Sequence, residues 1–488
     1  MKEFLLTLDR NSTEKLQPQI RRQIVSAILN GSLPSGSPIP PSRKLATKLG
    51  IARITVVQTY QDLIYDGYLH TKERSGIFVS DELTLPVKSL SHKSAADFIV
   101  PQEPKFSFKF IPSKQETTEK PINWKDYPYP FVTSQVDKSL FPITAWRDCS
   151  RQTLSLNAMA EWTEDRAGHD DPLLINEIRT KLLPARGIHA TEDEIMVTAG
   201  AQNGLFMLTR ILLDRSTLAG IENPGYPDLR NMIELTGSRT RFFKIDEQGL
   251  IPDQQLNDCD LVCVTPSHQA PTTVTMSLDR RYELLEKAEK ENFIIIEDDY
   301  EPELNFECTH FPAIKALDQT GRVMYVGSLS KSFFPGLRLG YLVAPSSVIR
   351  EVRALRRLMH RHTPTNNQRT MAIFLAQGHH ESFRRLLHKT YKNRWLAMKQ
   401  ALEKSSVDFH VQPSSGGSSF WVKGPENLDS KKLSKSALDL GVVIEPGAVY
   451  YFDVGAPNNH FRLGFSAIDK GVIPEGISRL EEAVIRVL

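Results

Sequence analysis

The side chains best suited to chemistry lie in one short segment, Tyr325-Val-Gly-Ser-Leu-Ser-Lys-Ser-Phe-Phe-Pro-Gly-Leu-Arg-Leu-Gly-Tyr. Lys331 follows an apolar run that predicts a buried strand, and a lysine amine in such a place can form an imine with an aldehyde. Ser328 and Arg338 can bind a phosphate, the arginine through its planar guanidinium. Taken alone, the segment also fits a surface lysine and an arginine paired with a carboxylate.

Carboxylates end a second apolar run, Phe293-Ile-Ile-Ile-Glu-Asp-Asp-Tyr-Glu. Ligand sites of open α/β sheets lie at the carboxyl ends of their strands. Asp298 at such an end can keep a pyridine nitrogen protonated, which makes pyridoxal phosphate an electron sink. The alternative is a strand that ends in solvated acids. Asp298 and Lys331 are 33 positions apart, enough for one helix-containing crossover to the neighbouring strand.

A third segment, Val197-Thr-Ala-Gly-Ala-Gln-Asn-Gly, leads from a strand-like run through small residues into a helical one. Such a turn offers free backbone N–H groups to a phosphate at the helix N-terminus. Turns of this type are common, so the segment indicates a phosphate site only beside the other two.

A sheet must position these three segments. Short apolar runs rich in Val or Ile, over residues 193–198, 260–265, 293–297 and 323–326, are typical of strands buried on both faces. Helical patterns over residues 202–213 and 280–291 fall between them. Alternation of strand and helix predicts a mainly parallel α/β sheet.

The composition changes between residues 83 and 130, where seven prolines stand among Ser, Lys and Glu. Regular helices cannot run through that density of prolines. A long surface loop is the alternative, but roughly 45 structureless residues exceed ordinary loops. We therefore predict a head over residues 1–82, a proline-rich linker over 83–121 and a body over 122–488.

The head has the pattern of a winged helix-turn-helix, an α+β fold. Apolar spacing predicts one helix from Ile20 to Leu29, a second over residues 42–49 and a third over 52–66. Ser42 is expected to cap the second helix and Gly50 to close it. Two helices joined by a short turn that contains glycine indicate a helix-turn-helix. The strand-like runs 68–71 and 77–80 then predict a hairpin with a cationic tip.

In this motif the first residues of the third helix face the bases of double-stranded DNA. Arg53 can pair with guanine or contact phosphate, and the start of the preceding helix can hold the DNA backbone. Residues 1–82 carry eleven Lys and Arg against eight Asp and Glu, a net charge of +3 that an ordinary solvated surface also has. The predicted DNA-binding residues are Ser42, Arg43, Lys44, Arg53, Thr55, Lys72 and Arg74.

The whole chain narrows the class of protein. Its 488 residues exceed the roughly 150 of one domain, and 60 Lys and Arg against 58 Asp and Glu exclude a wholly basic or a strongly acidic chain. No apolar run approaches the roughly 20 residues that cross a bilayer, and the first residues lack a secretory signal. Four cysteines are too sparse for a disulfide framework. We expect a cytoplasmic protein with no metal site and no membrane contact.

The head resembles the GntR-type winged helix over nearly its whole length. The motifs that carry the resemblance are, in order, Gln19-Ile-Arg-Arg-Gln-Ile, Pro40-Pro-Ser-Arg-Lys-Leu-Ala, Arg53-Ile-Thr-Val, Gly67-Tyr-Leu and Ser75-Gly-Ile-Phe-Val. The family often has a serine where Ala52 stands and a polar residue at Ile54. These two departures bear on which bases are read.

The body resembles the fold type I aminotransferases, through the three segments above together with Glu222-Asn-Pro-Gly-Tyr and Asn459-His-Phe-Arg-Leu-Gly-Phe-Ser. A GntR-like head before such a body resembles the MocR family of bacterial transcription regulators. The resemblance implies pyridoxal 5'-phosphate as cofactor and a head-to-tail homodimer. It implies Lys331 as the Schiff-base lysine, Asp298 on the pyridine nitrogen, Tyr300 on the ring hydroxyl, Tyr226 near the ring, Ser328, Arg338, Gly200, Ala201 and Gln202 on the phosphate, and Arg462 on an α-carboxylate.

Three positions depart from the family pattern. Leu174 and Thr273 stand where glycines are usual, and Asp228 stands where members that sense ω-amino acids tend to carry an arginine. The lysine and the aspartate are intact. The departures therefore bear on the effector and not on cofactor binding.

The leading hypothesis is a pyridoxal-phosphate-dependent, DNA-binding transcriptional regulator of amino-compound or vitamin B6 metabolism genes, which senses an amine, an amino acid or the cofactor itself. An amine effector would displace Lys331 and change the contacts of Arg462. The alternative is an active aminotransferase with an accessory head, because the residues for imine chemistry are all present. A regulator that has lost the cofactor is a third hypothesis.

Overall fold

A computed structural model describes residues 6–12, 14–73, 75–81, 106–165, 167–307, 311–331, 333–453 and 455–488. The chain divides into two compact units, one that ends at Phe108 and one that begins at Lys109. Below, "head" denotes the described residues up to Asp81 and "body" those from Lys109. Residues 83–105 of the predicted linker lie outside the described residues.

The head consists of three helices followed by an antiparallel hairpin. Ile20, Ile24 and Ile28 recur at helical spacing and are fully buried against Val56 and Leu63 of the third helix. The wing hairpin pairs Leu69 with Val79. The elements are α1 (Leu16–Leu29), α2 (Ser42–Leu49), α3 (Arg53–Tyr65), β1 (Leu69–Lys72) and β2 (Gly76–Val79).

The boundaries of α2 confirm one expectation and correct another. Gly50 ends the helix in the left-handed region, with φ of 61°, as a C-terminal glycine does. Ser42 does not cap the helix. It is the first helical residue, and Pro41 before it holds the N-cap position without a side-chain hydrogen bond.

The body is built on a large sheet with the strand order β4-β11-β10-β9-β8-β5-β6-β7. The five strands from β10 to β6 are mutually parallel, whereas β11 runs antiparallel to both of its neighbours and β7 runs antiparallel to β6. The mainly parallel sheet predicted from the sequence is confirmed. Its strands are β4 (Ile195–Thr198), β5 (Leu218–Asn223), β6 (Arg239–Asp246), β7 (Gly249–Leu250), β8 (Leu261–Val264), β9 (Ile294–Asp299), β10 (Val323–Ser328) and β11 (Gly340–Val343), and β3 (Tyr129–Pro130) lies outside it.

Helices pack on both faces of this sheet, so its central strands are buried at nearly every position. Strands covered on both faces need continuous apolar runs rather than alternation, which is the pattern that the sequence shows. The helices are α4 (Ile143–Thr153), α5 (Leu156–Trp162), α6 (Pro172–Glu177), α7 (Ala201–Leu212), α8 (Pro227–Glu234), α9 (Leu278–Glu291), α10 (Ile314–Leu317), α11 (Ser346–His360), α12 (Thr365–Ala376) and α13 (His379–Glu403).

A smaller antiparallel sheet of order β12-β13-β16-β15 follows the long helix α13. Glu445 and Arg462 stand opposite each other on its neighbouring strands β15 and β16. The remaining elements are β12 (His410–Val411), β13 (Ser419–Lys423), α14 (Ser430–Asp439), β14 (Val442–Val443), β15 (Glu445–Pro446), β16 (His460–Gly464) and α15 (Ile473–Val487). Within the described ranges, no helix is long and apolar enough to cross a membrane.

Candidate functional site

The candidate site lies where β9 and β10 end. These strands are parallel neighbours, with Val326 opposite Asp298. As predicted, one crossover that contains a helix, α10, connects β9 with β10 between Asp298 and Lys331. Lys331 comes three residues after the end of β10, so its amine reaches the edge of the sheet at which β9 presents Asp298.

Lys331 opens onto a cavity of about 320 Å³. Its Nζ donates a hydrogen bond to Ser134 Oγ at 2.6 Å and lies 4.0 Å from Glu301 Oε1 and 4.9 Å from the centre of the Tyr300 ring. Burial lowers the pKa of Lys331 and Arg462 lowers it further, while Glu301 opposes the shift. Since only the neutral amine attacks a carbonyl carbon, this environment suits a nucleophilic lysine.

Asp298 and Tyr300 present polar atoms to the same cavity. Asp298 Oδ1 and the Tyr300 hydroxyl are buried and have no hydrogen-bond partner among the described residues. Burial raises the pKa of Asp298 to about 7, although Lys331 opposes the shift. Because unpaired buried polar atoms are costly, both atoms indicate a missing partner that belongs in the cavity.

The turn before α7 and the Arg338 side chain together form a cationic end of the cavity. Gly200 has φ of 87°, and a Cβ there would lie 3.0 Å from the Arg338 guanidinium. Arg338 itself has φ of 52°, a region that residues other than glycine rarely adopt, and its Nη2 donates to Ala199 O at 2.9 Å. The first N–H groups of α7, at Ala201 and Gln202, have no acceptor within the helix. A phosphate can bind between them and the guanidinium.

Asp228 connects three segments of the cavity wall. Its Oδ2 accepts hydrogen bonds from the Tyr226 hydroxyl and from Gln202 Nε2, both at 3.1 Å. Its Oδ1 accepts one from Thr117 Oγ1 at 2.8 Å. The Gln202 side chain is therefore engaged by Asp228, which leaves its backbone N–H as the group able to hold an anion.

The later part of the predicted linker packs on α8. Asn231 Nδ2 donates to Glu116 O at 2.9 Å, and Gln115 Nε2 donates to Glu234 Oε2 at 3.3 Å. Thr118, one residue beyond Thr117, lines the cavity. Residues 115–117 thus hold this segment on the body, and Thr118 contributes to the cavity wall.

Arg462 forms the wall on the side of the small sheet, where side chains of its own chain engage two of the five N–H donors of an arginine. Its Nε donates to Ser419 Oγ at 2.8 Å and its Nη1 to the Tyr450 hydroxyl at 3.3 Å. Glu445 Oε1 lies 3.9 Å from Nη1. Burial by itself lowers the pKa of Arg462, but Tyr450 and Glu445 outweigh it and raise that pKa above its ordinary value.

The cavity brings together every cofactor and effector residue that the sequence predicts. It also contains residues that sequence reasoning missed, among them Ser134, which lies 197 positions before its partner Lys331 and in no recognised motif. Gly200, Ala201, Gln202, Tyr226, Asp298, Tyr300, Ser328, Lys331, Arg338 and Arg462 line it, and the residues missed are Thr118, Thr133, Ser134, Gln135, Leu205, Ala270, Ser330, Pro335 and Tyr450.

A larger cavity, of about 450 Å³, shares Ser328 with the first and lies against Arg186 and Asp299. Arg186 Nε contacts Asp299 Oδ2 at 2.8 Å in a buried ion pair. Neither Lys331 nor Asp298 lines this cavity. The chemistry predicted from the sequence therefore belongs to the smaller cavity. No group of three or more His, Cys, Asp or Glu within the described ranges is arranged to hold a metal ion.

The starts of α2 and α3 form the candidate nucleic-acid interface of the head. Arg53 Nε lies 3.5 Å from Ser42 Oγ, which brings the two helix starts together. Arg43, Lys44, Arg53 and Lys72 are exposed, Ser42 and Thr55 are half-buried, and Arg74 lies outside the described residues. Ile54 is also exposed at 60%, an apolar side chain between Arg53 and Thr55 that the predicted set omits.

Pyridoxal phosphate fits the groups present in the smaller cavity. Asp298 Oδ1 and the Tyr300 hydroxyl lack partners that a ring nitrogen and a ring hydroxyl supply. The glycine turn and Arg338 suit the phosphate, and Lys331 suits the aldehyde.

Comparisons with known proteins agree with both parts of the site. Residues 135–480 match the family described as "Aminotransferase class I and II", and residues 16–79 match "Bacterial regulatory proteins, gntR family". A kynurenine aminotransferase of Pyrococcus horikoshii, solved with PMP, is similar in structure with a TM-score of 0.69 and 29% identity, over 74% of this chain and 92% of that one.

Two curated relatives extend over both domains. The HTH-type transcriptional regulator TauR of Rhodobacter capsulatus is 39% identical over 96% of each chain. The probable rhizopine catabolism regulatory protein MocR of Rhizobium meliloti is 26% identical over 99% of this chain and 96% of its own. With the winged-helix head and the aminotransferase-like body described above, these relations place the chain in the MocR family: it is a DNA-binding transcriptional regulator whose aminotransferase-like body takes pyridoxal 5'-phosphate as its cofactor.

Proposed function

We propose that the body senses a primary amine, an amino acid or the cofactor itself, and that it thereby controls how the head binds operator DNA. The observation that carries the proposal is the meeting of Lys331, unpaired Asp298 and Arg462 around one cavity in a chain that also has a DNA-binding head. We assign DNA binding to residues 1–82 and cofactor and effector binding to 122–488. We assign the regulated genes to amino-compound or vitamin B6 metabolism.

Each cofactor-binding residue has one role in this proposal. Lys331 holds the cofactor as the Schiff-base lysine, Asp298 contacts the ring nitrogen and Tyr300 the ring hydroxyl. Tyr226 lies near the ring. The phosphate-binding residues are Ser328, Arg338, Gly200, Ala201 and Gln202. Bound pyridoxal phosphate supplies an electrophilic carbon to which an amine can attach in place of the lysine.

The chain's own residues control the protons in this exchange. Ser134 accepts a hydrogen bond from Lys331 Nζ, and the lowered pKa of Lys331 favours the neutral amine. Asp298 holds the proton of the ring nitrogen. When an effector frees the lysine, its amine faces Glu301, whose Oε1 lies 4.0 Å away. The liganded and free states thus differ in contacts at Lys331 and Arg462, which is what a ligand needs to shift an equilibrium between two arrangements.

On the DNA side, we propose that Arg53 and Thr55 approach the bases while Ser42, Arg43 and Lys44 hold the DNA backbone. Lys72 and Arg74 extend the footprint along the wing. A head-to-tail homodimer in the cytoplasm would present two heads to two half-sites. The match of residues 16–79 to the gntR family supports the DNA-binding role of the head.

An active aminotransferase with an accessory head is the second candidate, favoured by one observation. Lys331, Asp298, Arg338 and Arg462, which such an enzyme needs, all line one cavity. The two candidates differ in what happens after an amine binds: a sensor holds it, whereas an enzyme converts it.

One pair of measurements separates the candidates. We expect salt-sensitive binding of wild-type protein to promoter DNA, weakened about 10-fold or more by Arg53→Ala, and no sustained turnover of amino donors with 2-oxoglutarate. Lys48→Ala, outside the predicted contact set, serves as the control. Enzyme-like turnover together with DNA binding that is absent or insensitive to salt would contradict the regulator.

A further inference from the structure

Arg462 lines the cavity and also has an acidic neighbour in its own chain. It stands directly opposite Glu445 on the neighbouring strand, and both side chains are buried, at 7% and 12% exposure. Glu445 Oε1 lies 3.9 Å from Arg462 Nη1, and the Tyr450 hydroxyl contacts both side chains. The positive charge of Arg462 is therefore balanced by a carboxylate of the same chain.

Glu445 is fixed at both oxygens. Tyr450 donates to Oε1 through a short hydrogen bond, and Thr133 Oγ1 donates to Oε2 at 2.7 Å. Thr133 directly precedes Ser134, whose Oγ accepts the hydrogen bond from Lys331 Nζ. A continuous set of contacts thus connects Arg462 through Glu445 and residues 133–134 to Lys331.

This arrangement changes what Arg462 offers to a ligand. An anionic group that approaches the guanidinium also approaches the Glu445 carboxylate, and two like charges about 4 Å apart repel strongly where water is excluded. Such a ligand has to displace Glu445 from Arg462 or bind weakly. A ligand without an anionic group does not meet this repulsion.

We propose that Glu445 is an internal competitor for the anionic group of the effector, so that it sets the affinity for amines that also carry an acid group. Its displacement changes the contacts of Thr133 and Ser134 beside Lys331. This inference rests on the proposed role of Arg462 in effector binding. It adds a residue that selects among effectors and that no sequence motif indicates.

The test compares cofactor-loaded wild type with Glu445→Gln, which keeps the shape of the side chain and one acceptor oxygen, replaces the other oxygen by an NH2 donor and removes the charge. The probes are the proteinogenic amino acids and the ω-amino acids of three to six carbons. Each is paired with the amine of the same skeleton that lacks the acid group. Dissociation constants come from calorimetry and from the change in cofactor absorbance.

We expect Glu445→Gln to bind acid-bearing amines about 10-fold more tightly, while affinity for the amines without an acid group changes less than about 2-fold. Equal gains for both classes, no gain, or no acid-bearing ligand for either protein would overturn the proposal. Glu445→Ala should also bind acid-bearing amines more tightly, and it serves as the second variant if Glu445→Gln does not fold. Glu426→Gln, whose carboxylate pairs with Lys423 at the surface, is the matched control.

Arg462→Gln separates this inference from the proposed function. If Arg462→Gln leaves the affinity for acid-bearing amines unchanged, the proposed role of Arg462 is wrong. If Arg462→Gln weakens their binding but Glu445→Gln does not strengthen it, only the competition by Glu445 is wrong.

Discussion

The two halves of the cavity differ in whether their polar groups have partners. In the half at the ends of β9 and β10, Asp298 Oδ1 and the Tyr300 hydroxyl are buried without one. In the half at the small sheet, Arg462 is engaged by Ser419, Tyr450 and Glu445. In the first half two buried polar atoms have no partner within the described part of the chain, whereas in the second half the charged side chains contact one another.

This difference fits two kinds of occupant. A permanent cofactor can supply the missing partners, so its site can leave polar atoms unpaired in the chain alone. An effector binds and dissociates reversibly. A site whose polar groups pair with one another when the effector is absent avoids the free-energy cost of unpaired buried atoms. The unpaired polar atoms thus indicate the half that binds the cofactor. The side chains that pair with one another indicate the half that binds the effector.

Removing the lysine should have the largest effect on the cofactor half. Lys331→Ala should abolish covalent attachment of the cofactor, because no other amine takes its place at the end of β10. Absorbance after dialysis and the peptide mass after borohydride reduction measure this. Lys435→Ala, on exposed α14, should retain full attachment. A reduced adduct that persists in Lys331→Ala would mean that another residue is the attachment site.

Removing the Asp298 carboxylate, which is proposed to contact the ring nitrogen, should have the next largest effect. Asp298→Asn should weaken cofactor binding about 10- to 100-fold, the range of a lost charge-assisted hydrogen bond. Tyr300→Phe should weaken it less, because a neutral hydroxyl makes a weaker bond. Equilibrium dialysis gives both constants. If Asp298→Asn binds the cofactor as wild type does, the assignment of the cofactor to this half is wrong.

The unpaired carboxyl should also make cofactor-free protein sensitive to pH. Burial raises the pKa of Asp298 to about 7, so between about pH 4 and 7 the folded state holds a proton that the unfolded chain has lost. Stability from this group is therefore present at low pH and declines as the pH rises through that range.

Relative to Asp298→Asn, wild type should lose about 2–3 kcal/mol of unfolding free energy between pH 5 and 8. Urea titrations of both proteins without cofactor measure the difference. Other buried acids contribute to both proteins and cancel. Parallel pH curves would show that Asp298 is ionised in the folded state at low pH and has the partner that the structure lacks.

The smallest effect should come from the segment 115–118. Thr117→Val removes the hydrogen bond to Asp228 and should change effector affinity less than about 3-fold, since one neutral donor is lost at the edge of the cavity. Hydrogen exchange at residues 115–118 should rise. A loss of cofactor binding in this variant would mean that the segment belongs to the cofactor half.

The sequence predicted the cofactor half far better than the effector half, for a physical reason. Asp298 lies at the carboxyl end of β9 and Lys331 comes three residues after β10. Parallel neighbours bring their carboxyl ends together, so position along the chain predicts position in space. Arg338 and Gly200 are likewise adjacent to strand ends. These residues could be found from local pattern and one topological rule.

Ser134, Glu445 and Thr117 could not be found in this way. Each lies in an irregular or very short element, and its partner is distant in sequence, as Thr133 is 312 positions from Glu445. No periodicity records such contacts. The capping role expected for Ser42 failed for a smaller reason, because the helix began at Ser42 and not one residue later.

The central claim is that an amine binding at Lys331 changes how the head binds DNA. The direct measurement titrates cofactor-loaded protein with an amine that alters cofactor absorbance while recording affinity for its promoter DNA at fixed salt. We predict that the two signals change over the same amine concentrations in wild type and that both responses are lost in Lys331→Ala. DNA affinity that stays constant while the absorbance change saturates would contradict the claim.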